Sequence, residues 1–146
     1  MARKVFFSFK YDDVQRAMNV RNSNVITGAI KSGFIDKADF EEVERKGDNA
    51  IKAWIDKQLE GTTVTVVLIG ANTNKSRWVK YEIDQSIDRG NGILTIDISK
   101  IKDFDGNTTE CCSLRVNGYN HYLWNKGNGR GNLGKWVESA AMAAGK

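Results

Sequence analysis

Thr63-Val64-Thr65-Val66-Val67-Leu68-Ile69-Gly70 is the stretch that decides the fold. It is rich in β-branched residues and almost unbroken in apolarity, the pattern of a strand covered on both faces. Such strands belong to parallel sheets with helices above and below. Upstream, Asp48 opens an amphipathic helix with Ile51, Trp54, Ile55 and Leu59 at helical spacing, and Gly61 stops it. Downstream, Ser76 caps a helix that runs to about Asp88, and Arg89-Gly90-Asn91-Gly92 ends it. Ile93-Leu94-Thr95-Ile96-Asp97-Ile98 then reads as another buried strand.

Further out the alternation continues. Lys4 to Phe9 predicts the first strand, and the aspartates of Tyr11-Asp12-Asp13 predict a cap for a helix with Val14, Ala17 and Met18 on one face. Asn24 to Thr27 predicts a weak second strand, and Ser32 to Gly47 a long polar loop. Phe104 to Leu114 reads as irregular, Tyr122-Leu123-Trp124 as a short last strand and Trp136 to Ala144 as a terminal helix. The implied fold is α/β: a flavodoxin-like, doubly wound single domain over residues 1–146, its five-stranded sheet mainly parallel with helices on both faces. Its common strand order, 2-1-3-4-5, reverses between strands one and three, and ligands bind at their carboxyl ends. Those ends carry Ser8-Phe9-Lys10-Tyr11-Asp12 and Gly70-Ala71-Asn72-Thr73, which should form one crevice.

Composition narrows the chemistry. With 146 residues, 40% hydrophobic and 27% charged, the chain reads as a globular domain able to bury a core without staples. The basic, apolar start is too short for a signal peptide, and no run approaches the roughly 20 residues of a membrane span, so a cytoplasmic protein is expected. One histidine, His121, makes a multi-histidine metal site impossible and would have to serve any Ser-His-Asp triad. Cys111 and Cys112 are adjacent and fit no ligand spacing; two reduced thiols, dispensable for folding, are expected. The net charge of +4 is scattered, which argues against nucleic acid and suits a small phosphate-bearing ligand.

One residue breaks the pattern. On an ideal wheel with Trp78 at zero, Val79, Ile83 and Ile87 fall at about 100°, 140° and 180°. Glu82 falls at about 40°, inside this apolar arc, whereas Asp84 and Asp88 lie opposite. A carboxylate there is costly unless paired or solvated, and such exceptions concentrate at functional sites. The ordinary alternative is an ion pair with Arg77 or Lys75. Ordinary glycoside hydrolysis needs two carboxylates. The nicotinamide of NAD⁺ is already cationic and leaves neutral, so a single carboxylate suffices to stabilise the sugar cation or position an attacking hydroxyl. Trp78 can stack on a base, and the helix start with Lys75, Ser76 and Arg77 suits a pyrophosphate.

Phe6-Phe7-Ser8-Phe9-Lys10-Tyr11-Asp12-Asp13, Val20-Arg21-Asn22, Thr62 to Gly70, Arg77-Trp78-Val79-Lys80-Tyr81-Glu82-Ile83, Ser86-Ile87 and Gly90-Asn91 resemble the ThsB-type TIR-like domains of the bacterial Thoeris antiphage system. The resemblance covers roughly the first two-thirds of the chain. Trp78-x-x-x-Glu82 also resembles the signature of NAD-cleaving TIR domains, whose glutamate is catalytic. It implies that Glu82 is catalytic and that Ser8, Phe9, Tyr11 and Trp78 line the nicotinamide-ribose side. It implies NAD⁺ as substrate rather than cofactor, an ADP-ribose-derived and often cyclic signal, and an effector reached by it. A phage trigger and self-assembly belong to the same expectation. The Ser32 to Glu41 segment would border the site or mediate assembly.

Two other classes stay open: a non-catalytic TIR or receiver-like interaction module, and a nucleoside deoxyribosyltransferase-like enzyme. Gly129-Arg130-Gly131-Asn132-Leu133-Gly134 satisfies a dinucleotide fingerprint, but the chain carries no acidic residue about 20 positions on, so a flexible turn is expected. Trp54 and Trp136 are assigned to the core. Arg21 contacts a phosphate or serves structure and assembly, and Asp97 lies at a strand end or near the site.

Overall fold

The structure, a computed structural model, describes residues 4–21, 30–32 and 43–146, with side chains at 4–20 and 43–146. The expected strand at Asn24 to Thr27 and most of the 32–47 loop lie outside the described residues. Five strands form one sheet: β1 (Val5–Phe9), β2 (Ile30–Ser32), β3 (Val64–Ile69), β4 (Gly92–Asp97) and β5 (Asn120–Leu123). The order is β2-β1-β3-β4-β5 and every pairing is parallel. β3 is central, buried at all six positions, and runs in register with β1 from Val5↔Val64 to Phe9↔Leu68.

Residue alternation along the strands sends side chains to two layers. On one face Val5, Phe7, Val64, Val66, Leu68, Leu94 and Ile96 pack against α1 (Val14–Arg21) through Ala17 and Val20, and against α4 (Gly129–Ala143) through Leu133, Val137 and Ala141. On the other, Phe6 meets α2 (Asp48–Leu59) through Ile51, Ile55 and Leu59, while Val67, Ile69 and Ile93 meet α3 (Arg77–Asp88) through Val79 and Ile83. Each of the valine, leucine, isoleucine and phenylalanine side chains, fully buried, contributes roughly 1.5–3 kcal/mol. No helix among the described residues is long and apolar enough to cross a membrane.

Three expectations change. The glycine-rich 129–134 segment is the start of α4, not a turn. A Cβ at Gly129 would overlap the Trp124 ring, and one at Gly92 would overlap the Ala140 carbonyl, so glycine lets this helix lie close to β4 and β5. Helix α1 turns Arg16 inward and leaves Met18 38% exposed, because Tyr11–Asp13 form a 3-10 turn whose last residue, Asp13, recruits Arg16. Ile87 lies 45% exposed: the buried face of α3 holds Glu82 and Ser86 beside Val79 and Ile83, which rotates Ile87 toward solvent. Elsewhere, Trp136 stacks on Tyr122 at 4.3 Å beside the core, and both cysteines are free and half-buried.

Candidate active site

Helix α3 presents Glu82. Ser76 starts it, its hydroxyl accepting from Val79 N at 3.2 Å. Below Glu82 a buried polar ladder seats the helix on β3. Ser86 Oγ donates to the Glu82 carbonyl and also meets Thr65 Oγ1, each at 2.7 Å. Asn91 Nδ2 reaches Thr62 Oγ1 at 3.0 Å. With Thr65 and Ser86 both fully buried, this ladder sets the rotation of α3 and so turns Glu82 inward.

The Glu82 side chain is 8% exposed and accepts a hydrogen bond from Ser8 Oγ at Oε1, at 2.9 Å. No cation pairs with it among the described residues. Burial pushes its carboxyl up to about 8, with the Ser8 hydrogen bond opposing. Above it lies a cavity of about 60 Å³ walled by Phe7, Phe9, Tyr11 and Trp78, with Ser76 at its edge. The opposite wall is Val43 together with Ile51, Trp54 and Ile55 of α2. An anion in an apolar, aromatic-walled cavity favours a cation over its neutral counterpart.

The structure thus brings together Phe9, Tyr11, Ser76, Trp78 and Glu82, and separates the remainder. Ser8 is fully buried behind Glu82 and is not among the residues of the cavity wall; its hydroxyl faces the carboxyl group. Arg77 and Lys75 do not pair with Glu82. Arg77 makes a bidentate bridge to Asp48 of α2, both bonds at 2.9 Å, with its guanidinium 4.6 Å from the Trp78 ring centre. Lys75 is exposed and outside the cavity wall. Trp54, expected in the core, is half-buried and walls the cavity: helical spacing shows which way it points but not that the space it meets is open. Val43 and α2 were the contributors that the sequence pattern missed.

The crevice is also divided. Asp12, Asp13, Ala71 and Asn72 line a second cleft of about 270 Å³ with Arg16, Asp103 and Thr109. Arg16 fills its base, donating to the Ile101 carbonyl at 2.7 Å, the Asn107 carbonyl at 3.0 Å and Asp13 Oδ1 at 3.3 Å. Asp97 belongs to neither: its Oδ1 accepts from Ser99 N and Oγ at 2.8 and 2.6 Å and caps the turn after β4. The Arg21 side chain and the 33–41 segment lie outside the described residues.

A family model described as "Thoeris protein ThsB, TIR-like domain" matches residues 6–103, from β1 past β4. The chain belongs to the ThsB TIR-like family. Across 110 residues it is 43% identical to a Bacillus cereus (strain MSX-D12) protein named as a candidate cyclic ADP-D-ribose synthase, ThsB1. The alignment covers 73% of this chain and 57% of that relative, so the chain spans little more than half of its length. The TIR-like match ends before β5 and α4, the region where the sequence carries the least resemblance.

Proposed function

We propose that this TIR-like chain consumes NAD⁺, cleaving the nicotinamide-ribose bond to make an ADP-ribose-derived, cyclic signal. The observation that carries the reading is Glu82: a buried carboxyl group, unpaired with any cation among the described residues, beneath an aromatic-walled cavity. The glycosidic electron pair moves onto the nicotinamide nitrogen and neutralises it. The sugar carbon left behind carries the positive charge, which the Glu82 carboxylate stabilises. Water captures that carbon to give ADP-ribose, or a nucleophile elsewhere in the same ADP-ribose captures it to close a ring; either nucleophile then sheds its proton. Phe9, Tyr11 and Trp78 hold the nicotinamide-ribose end, and Ser76, at the start of α3, faces a phosphate. Arg77 and Lys75 join the phosphate only if Arg77 leaves Asp48. NAD⁺ enters as substrate, with no separate cofactor.

In this reading the single 1–146 domain works in the cytoplasm, neither on membranes nor on nucleic acid. A phage component triggers it, self-assembly supports it, and the released nucleotide activates a separate antiphage effector. The relative's name supports this product class. The test is incubation with NAD⁺, with and without extract of phage-infected cells, following nicotinamide and the ADP-ribose products by mass spectrometry. Nicotinamide release that Glu82→Gln cuts by about 10²–10³ is expected, the loss typical of one preorganised electrostatic contact. Base exchange on deoxynucleosides would point instead to a deoxyribosyltransferase. No turnover of either substrate in triggered extract would point to an interaction module.

A further inference from the structure

Ser8 and Glu82 stand 74 residues apart in sequence and meet as a buried pair, 0% and 8% exposed. Ser8 lies in β1, in register with Val67 of β3, and β1 is flanked by strands on both sides. A residue so held has little freedom to follow a ligand. Its hydroxyl has one proton to give, and gives it to Oε1 of Glu82. A donor aimed at a carboxylate favours the charged form and leaves the second oxygen for the cavity.

Among the described residues, the charged groups on the neighbouring elements are engaged elsewhere. Lys10, after β1, is engaged by Asp12. On α3, Arg77 is engaged by Asp48 and the Tyr81 hydroxyl donates to Asp56, both acids belonging to α2. All of these pairs lie at the exposed rim. We propose that Ser8 is a positioning residue, which favours the charged form of Glu82 against its burial and fixes the carboxylate so that Oε2 faces the cavity. The kinetic side of this role rests on the NAD⁺ reading; the titration side does not.

The experiment compares the full chain with Ser8→Ala, Ser8→Cys and Glu82→Gln. Infrared difference spectra across pH follow the Glu82 carboxyl band, identified by its absence in Glu82→Gln. In Ser8→Ala the midpoint should rise by about one pH unit or more, a tenfold change consistent with loss of one hydrogen bond to a charged group. Ser8→Cys, with a weaker donor, should move the same way by less. NAD⁺ turnover of Ser8→Ala should fall about tenfold in kcat at pH 7, with KM within about twofold, and should converge on the parent above the shifted midpoint. A purely structural serine would instead lower the rate alike at every pH. An unchanged midpoint in Ser8→Ala overturns the proposal; if that variant does not fold, an unchanged midpoint in Ser8→Cys overturns it. If the parent consumes no NAD⁺, the catalytic reading falls, and the titration alone decides the role of Ser8.

Discussion

Two carboxylates lie buried near the carboxyl end of β1, one in each part of the divided crevice, and they are held in opposite ways. Asp13, 5% exposed, fits against Gly70, where a Cβ would overlap it, and faces the guanidinium of Arg16. Burial pushes its carboxyl up and Arg16 pulls it back. Glu82, 8% exposed, has a serine hydroxyl and no cation among the described residues. A compensated charge can lock a fold; an uncompensated one retains its attraction for a cation that arrives from outside. Depth of burial does not separate the structural acid from the candidate catalytic one. The partner does.

The largest effect should come from breaking the compensated pair. Arg16→Met leaves Asp13 buried without its cation and takes the side-chain donor from the Ile101 carbonyl. A loss of about 3–5 kcal/mol in urea unfolding is expected. A loss below about 1 kcal/mol would erase the distinction between the two acids.

Glu82→Gln should go the other way in stability while abolishing most turnover. The ordinary value near 4.5 governs the unfolded chain, whereas the folded carboxyl holds its proton to about 8. Between these limits the native state binds the extra proton, so the parent loses stability as pH rises from 4.5 to 8. The glutamine variant carries no such penalty and should be about 1–3 kcal/mol more stable at pH 7.5. Equal stability of parent and variant at pH 5 and pH 8 would show that Glu82 is compensated after all.

The same titration sharpens the comparison kinetically. A role for the carboxylate makes NAD⁺ turnover climb about tenfold per pH unit below about 8 and level off above it. A rate flat from pH 6 to 9 would remove the charged form from the mechanism. The smallest effect belongs to an exposed pair of similar chemistry: Asp48→Asn, which breaks the Arg77 bridge between α2 and α3, should cost only about 0.2–1 kcal/mol in thermal unfolding.

The sheet was readable because β3 and β4 are continuous apolar runs, and the α3 start because Ser76 is a capping residue in front of a periodic helix. Glu82 is legible as an exception on that wheel, although the same wheel puts Ile87 on the apolar side: ideal periodicity cannot show that Thr65 and Ser86 draw the helix inward through hydroxyls. The division of the crevice was hidden. Whether Asp12 and Asp13 face the same space as Tyr11 depends on the 3-10 turn and on Arg16, a basic residue that reads as surface until Asp13 claims it. Trp54 was hidden for a related reason, since an aromatic residue lining a cavity and one filling a core share the same spacing. The glycines of 129–134 advertise a loop in isolation; only the approach of Trp124 shows why a helix uses them.

The 74-residue interval between Ser8 and Glu82 also sets a clock. At a synthesis rate of roughly 5–20 residues per second, about 4–15 s separate the two on a growing chain. β1 has no partner in the central strand until residue 64 and beyond has emerged, and the carboxyl group has no seat until α3 follows. A nascent chain therefore carries no assembled pocket for most of its synthesis, and a truncated one that stops before α3 lacks Glu82 altogether.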